Sequence, residues 1–99
     1  MSEPNASAQQ KATILNREGF HSRPVMKFVE LAQTFASQIR VRTNHPTSTD
    51  IDGKSAMELM LLGATAGTQL IITANGHDAQ NAVAALADLV SRRFGTETL

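Results

Sequence analysis

Only three residues, Asn44-His45-Pro46, separate two segments that both read as strands. Ile39-Arg40-Val41-Arg42-Thr43 alternates apolar and polar side chains, the pattern of a strand with one buried face. Thr47 to Asp52 is polar and β-branched, with Ile51 as its main apolar member. A parallel pair needs a crossover of about a dozen residues or more, so these two strands must pair antiparallel through the turn.

The remaining periodicities are arranged around that hairpin. Ala12, Thr13, Ile14 and Leu15 lie in a first strand over Lys11 to Asn16. A helix is predicted from about Ser22 to Ser37, with Val25, Phe28, Val29, Ala32 and Phe35 as one apolar stripe and Lys27, Glu30, Gln33 and Gln38 away from it. A second, short helix begins at Ser55, where Ser55-Ala56-Met57-Glu58 has the form of a capping box, and Gly63 ends it. Met57, Met60 and Leu61 are assigned to its core side, which leaves Leu59 and Leu62 hard to bury. Either part of this helix is exposed for a partner, or all five residues are core. Gln69 to Ala74 is the most apolar strand and is expected at the centre of the sheet. Asp78 to Phe94 forms the last helix, with Arg92 and Arg93 in its final turn and Gly95 closing it. Strand, helix, strand, strand, helix, strand, helix is an α+β order: an antiparallel sheet with helices on one face.

Composition limits the partners. Ninety-nine residues make one small domain; residues 1–10, polar and without apolar period, are expected as a disordered tail and 11–99 as the domain. Nine basic and nine acidic side chains cancel, so nothing points to nucleic acid or an anionic membrane. Without cysteine there is no disulfide framework, thiolate chemistry or cysteine-based zinc site. No long apolar run suggests a signal peptide or membrane span, and a cytoplasmic location without membrane insertion is expected.

Chemistry concentrates in Glu18-Gly19-Phe20-His21-Ser22-Arg23-Pro24, where strand gives way to helix. The first turn of a helix has N–H groups without intrahelical partners, and the dipole places positive charge there. A histidine nucleophile with an arginine two residues on could attack phosphorus and hold the phosphoryl group. Pro24 suits the first helical turn. His21, Ser22 and Arg23 are each candidates for the N-cap. Lys54 and Ser55 make a second candidate phosphoryl site, at the start of the second helix. Gly53-Lys54-Ser55 is not a P-loop, because the required earlier glycine is Ser48. His21, His45 and His77 lack metal-ligand spacing, Asp50 and Asp52 are explained by an edge strand facing water, and no nucleophile elbow or dinucleotide fingerprint occurs. No metal or cofactor is expected, nor a pocket that encloses a substrate.

The sequence resembles the HPr family, the histidine-containing phosphocarriers of the bacterial phosphoenolpyruvate-dependent sugar phosphotransferase system. Gly19-Phe20-His21-Ser22-Arg23-Pro24 and Asp52-Gly53-Lys54-Ser55-Ala56-Met57 carry the resemblance, and the element order agrees over about Lys11 to Gly95. It implies an open-faced sandwich of four antiparallel strands under three helices. It implies a carrier rather than an enzyme: phosphorylated enzyme I would place a phosphoryl group on Nδ1 of His21, and a IIA-type protein would receive it. Arg23 would hold the phosphoryl oxygens, Pro24 would set the helix start, and Ser55 would match a regulatory serine modified by an ATP-dependent HPr kinase. Partner docking is expected at Phe20, Met26, Lys54, Met57 and Met60, on a monomer. Ser22 stands where the family usually has alanine, and Glu58 where many members have glycine. A branch serving nitrogen-related regulation, and a binding module controlled at Ser55 with little use of His21, are the alternatives.

Overall fold

The computed structural model describes residues 6–95. In chain order the elements are β1 (Ser7–Thr13), α1 (Ser22–Ala32), β2 (Gln38–Thr43), β3 (Ile51–Asp52), α2 (Ala56–Leu62), β4 (Gln69–Asn75) and α3 (Ala79–Ser91), followed by a 3₁₀ turn over Arg93–Gly95. The sheet order is β1-β4-β2-β3, every neighbouring pair antiparallel. The hairpin of β2 and β3 pairs Val41 with Ile51, and the apolar β4 lies inside the sheet between β1 and β2. Ile39 and Val41 of β2 and Leu70, Ile72 and Ala74 of β4 are buried, as are Val25, Phe28, Val29 and Ala32 of α1 and Ala82, Val83, Leu86 and Val90 of α3. One core therefore lies between the sheet and the helix layer.

Element ends differ from the sequence expectation, in each case because a tertiary contact sets them. The first strand begins at Ser7, so residues 7–10 are not tail; residues 1–5 lie outside the described residues. Ser7 to Gln10 pair with Asn75 to Ile72, and Gln9 Nε2 donates to Thr73 Oγ1 directly opposite at 3.2 Å. The ladder thus overrides a polar composition that carries no period. Only Ile51–Asp52 of the expected Thr47–Asp52 strand pairs. Ser48 Oγ instead accepts from Thr43 N at 3.0 Å and closes a loop. The last helix stops at Ser91, because Arg93 and Phe94 take left-handed φ values of 56° and 57°; Arg92 and Arg93 lie past the final turn. Phe94 is nevertheless fully buried, so packing holds a conformation that a bulky residue avoids elsewhere.

α1 ends at Ala32 rather than Ser37 for an electrostatic reason. Asp78 accepts from Ala36 N at 2.8 Å, from Ser37 N at 2.9 Å and from Ser37 Oγ, drawing the chain off the helical path and into β2. The Ser37 hydroxyl and then the Ala36 amide hold the Asp78 carboxyl at about 2, below its ordinary 3.8. A depressed carboxyl stabilises the fold above its unfolded value and ceases to do so as pH falls through its folded value. Asp78→Asn is therefore expected to unfold at lower urea than the parent at neutral pH. The gap between the two should close between about pH 4 and pH 2. Equal midpoints at neutral pH would remove this role.

The phase of α2 is corrected as well. Leu59 is fully buried and Leu62 half-buried, whereas Met57, Met60 and Leu61 are exposed. Six of its seven side chains are apolar and Glu58 alone is polar, so no polar face fixes the rotation and the sequence pattern does not choose it.

Candidate functional site

The loop before α1 is built on Asn16 and Gly19. Gly19 N donates to Asn16 O at 3.2 Å, and the Asn16 side-chain Nδ2 donates to Gly19 O at 2.7 Å. Asn16 is 1% exposed, and its Oδ1 has no partner among the described residues. The sequence reading missed this asparagine, although an asparagine three residues before a glycine is a local turn signal. Gly19 has φ 68°, and a Cβ there would meet Ala64 O at 2.5 Å. Phe20 N donates to that same carbonyl at 2.9 Å, so the loop is seated on the segment after α2.

His21 is the N-cap of α1, which settles the choice among His21, Ser22 and Arg23. Its backbone is extended and its carbonyl accepts from Val25 N at 2.9 Å; its side chain makes no capping bond. Pro24 contributes no N–H. The N–H groups of Ser22 and Arg23 therefore remain, among the described residues, without a side-chain cap at the positive end of the helix. The imidazole is 65% exposed, with Glu18 Oε1 3.9 Å from Nδ1. Arg23 is exposed on the first turn. An exposed imidazole, a nearby guanidinium and free helical N–H groups make an arrangement that can receive and hold a dianionic group.

Phe20 is not on the expected docking surface. It is 5% exposed, with its ring centroid 5.6 Å from that of Phe28, edge-on, and 5.8 Å from that of Phe94. Because the backbone is extended here, successive side chains point to opposite sides: Phe20 inward, His21 outward.

Ser55 is the N-cap of α2, and its Oγ accepts from Glu58 N at 3.2 Å. The reciprocal half of the expected capping box is diverted, since Glu58 Oε1 accepts from Asp52 N at 3.0 Å. Lys54 does not present its ammonium to Ser55; Nζ donates to Phe35 O at 2.8 Å. The two candidate phosphoryl sites are not brought together. Gly19 and Phe20, at the start of α1, lie against Ala64 beyond the C-terminus of α2, while Lys54, at the start of α2, reaches Phe35 beyond the C-terminus of α1. The two helices run in opposite senses, and about 10 Å of α2 separates Ser55 from the His21 end. Between them α1 and α2 expose Met26, Met57, Met60 and Leu61, of which Met57, Met60 and Leu61 had been assigned to the core side of α2. A shallow groove beside the β2–β3 loop, lined by His45, Thr47, Glu58 and Leu61 among others, contains neither His21 nor Arg23.

Comparisons with known proteins agree with this geometry. The family model described as the PTS HPr component phosphorylation site matches residues 8–92. A phosphocarrier protein HPr of Pseudomonas aeruginosa is 42% identical over 82 residues, covering 83% of this chain and 89% of the relative. One from Cupriavidus necator is 37% identical over 87 residues, covering 88% and 94%. The crystal structure of HPr-C-His from Thermoanaerobacter tengcongensis superposes with a TM-score of 0.82 at 35% identity, covering 92% of this chain and 99% of that one. With the open-faced sandwich, the matched motif and these relatives in agreement, the chain belongs to the HPr phosphocarrier family of the phosphotransferase system.

Proposed function

We propose that this protein accepts a phosphoryl group from phosphorylated enzyme I on Nδ1 of His21 and passes it to IIA-type proteins in phosphoenolpyruvate-dependent sugar transport. The observation that carries this reading is the exposed, uncapping imidazole of His21 at the N-terminus of α1. A neutral imidazole is already a nucleophile, so no separate base is required. Its Nδ1 lone pair forms the N–P bond while the donor's bond to phosphorus breaks. Transfer through a loose transition state asks chiefly for alignment and positive charge, which Arg23 and the Ser22 and Arg23 N–H groups supply. The site encloses nothing, which suits a carrier that must release what it accepts and acts as a covalent intermediate rather than an enzyme. A Salmonella typhimurium multiphosphoryl transfer protein is 33% identical over 82 residues, which make up only 22% of its length; such a domain can thus serve within a larger phosphoryl-transfer chain.

Met26, Met57 and Met60, joined by Leu61, offer the docking surface, since polarizable methionine adapts to several partners in turn. Phe20 and Lys54 take no part in it. Ser55, modified by an ATP-dependent kinase, would gain about −1.5 to −2 charges at a helix N-terminus that tolerates them. About 10 Å of α2 lies between that charge and the His21 end, comparable with the screening length at physiological salt. The modification therefore acts by repelling a partner from the methionine face rather than by disabling His21 or unfolding α2. The protein works as a cytoplasmic monomer; no helix among the described residues is long and apolar enough to cross a membrane.

Intact-mass spectrometry after incubation with phosphoenolpyruvate and a bacterial enzyme I tests the carrier role. One acid-labile phosphoryl group is expected, and none in His21→Ala. An unmodified mass under conditions that label a control HPr would instead favour the module regulated at Ser55. A second sample, with ATP and the serine kinase, would then acquire an acid-stable group.

A further inference from the structure

Glu18 places a carboxylate oxygen 3.9 Å from Nδ1 of His21, the atom assigned above as phosphoryl acceptor. Glu18 lies within the Asn16–Gly19 turn, which is closed by Gly19 N to Asn16 O and by Asn16 Nδ2 to Gly19 O. No residue of the first turn of α1 is acidic, so Glu18 is the acidic group that the structure pairs with His21. Before phosphorylation the carboxylate faces a neutral or cationic ring and is tolerated. Once Nδ1 carries a dianionic phosphoryl group, the same carboxylate faces two like charges at short range.

We propose that Glu18 sets the phosphoryl balance at His21: its negative charge raises the free energy of the phosphorylated protein, which makes this chain a readier donor and a weaker acceptor than one with a neutral residue at position 18. The inference rests on His21 carrying the phosphoryl group. Arg23 and the α1 N–H groups attract the dianion, and Glu18, beside the same Nδ1, opposes them, so retention and release are set by separate residues. Both Glu18 and His21 are well exposed, at 73% and 65%, so water and side-chain rotation reduce the repulsion. An effect of about threefold is what survives such screening at low salt.

The test loads the parent and Glu18→Gln with potassium phosphoramidate, a small donor whose P–N bond breaks to release ammonia as the Nδ1–P bond forms. Loss of the group to water is then followed by phosphorus NMR. In that loss the N–P electron pair returns to Nδ1, water supplies the oxygen on phosphorus, and inorganic phosphate leaves. Charge repulsion is relieved as the loose transition state forms. Glu18→Gln is expected to lose its phosphoryl group about threefold more slowly at about 0.01 M salt, and the difference should vanish near 1 M. A merely structural effect of the substitution would not be screened. Equal rates at low salt, or a difference that salt leaves unchanged, would overturn the inference while leaving His21 as the acceptor. Failure of both proteins to take a group on His21 would overturn it together with the carrier reading.

Discussion

Gly19→Ala should lower the thermal midpoint by about 10–20 °C, the size of shift that about 2–3 kcal/mol produces in a domain of this length. Two causes add. Residue 19 sits at φ 68°, a left-handed conformation that costs an L residue about 1–2 kcal/mol. The new methyl would also lie 2.5 Å from Ala64 O and 2.9 Å from Thr65 Cα, both backbone atoms that cannot swing aside. To relieve the contact the loop must withdraw from the segment after α2 and lengthen the hydrogen bond from Phe20 N to Ala64 O, forfeiting about 1 kcal/mol more. Because His21 follows directly, its position relative to the α1 N–H groups shifts too, and phosphohistidine formation should slow along with the loss of stability. Gly67→Ala separates the causes: φ there is 90°, but nothing lies within 4 Å of the added methyl. Calorimetry of the two variants should show the larger shift at position 19. Equal shifts would mean that backbone strain alone accounts for both, and that the seat on Ala64 is soft.

What the sequence made legible was whatever rests on local periodicity. The antiparallel hairpin, the interior place of β4 and the buried stripe of α1 all follow from spacing and alternation, and the structure has each of them. Where elements stop did not follow, because distant groups decide it. Asp78 ends α1 by capturing two amides some forty positions earlier in the chain. β4 recruits Ser7 to Gln10 into β1. Burial of Phe94 forces the left-handed turn that ends α3. At the site, His21, Arg23 and Pro24 could be recognised because a helix start has its own chemistry. Phe20 was misplaced because its neighbour's exposure was extended to it, although an extended N-cap reverses the side from one residue to the next. The approach of Glu18 to His21 depends on the closed turn at Asn16, which no apolar period announces.

Phe20→Ala is expected to cost about 3–5 kcal/mol, as for other buried phenylalanines cut back to a methyl. Against a typical total of about 5–15 kcal/mol, this brings the domain close to unfolding at room temperature. The ring is the middle member of an aromatic trio, edge-on to Phe28 of α1 and tilted against Phe94 past the end of α3. Its removal opens a cavity between the start of α1 and the 3₁₀ turn that carries Phe94. It also removes part of the packing that holds Phe94 at φ 57°. Phe20→Leu keeps most of the volume and should cost under about 1.5 kcal/mol. Urea unfolding combined with the rate of phosphoryl transfer from enzyme I distinguishes a core role from a docking role. A docking residue would leave Phe20→Ala as stable as the parent but slow in transfer, and Phe20→Leu would be slowed as well. A core residue gives the reverse: Phe20→Ala unfolds early, while Phe20→Leu transfers at nearly the parental rate. The geometry requires the second pattern, since 5% exposure leaves a partner almost nothing of this ring to touch.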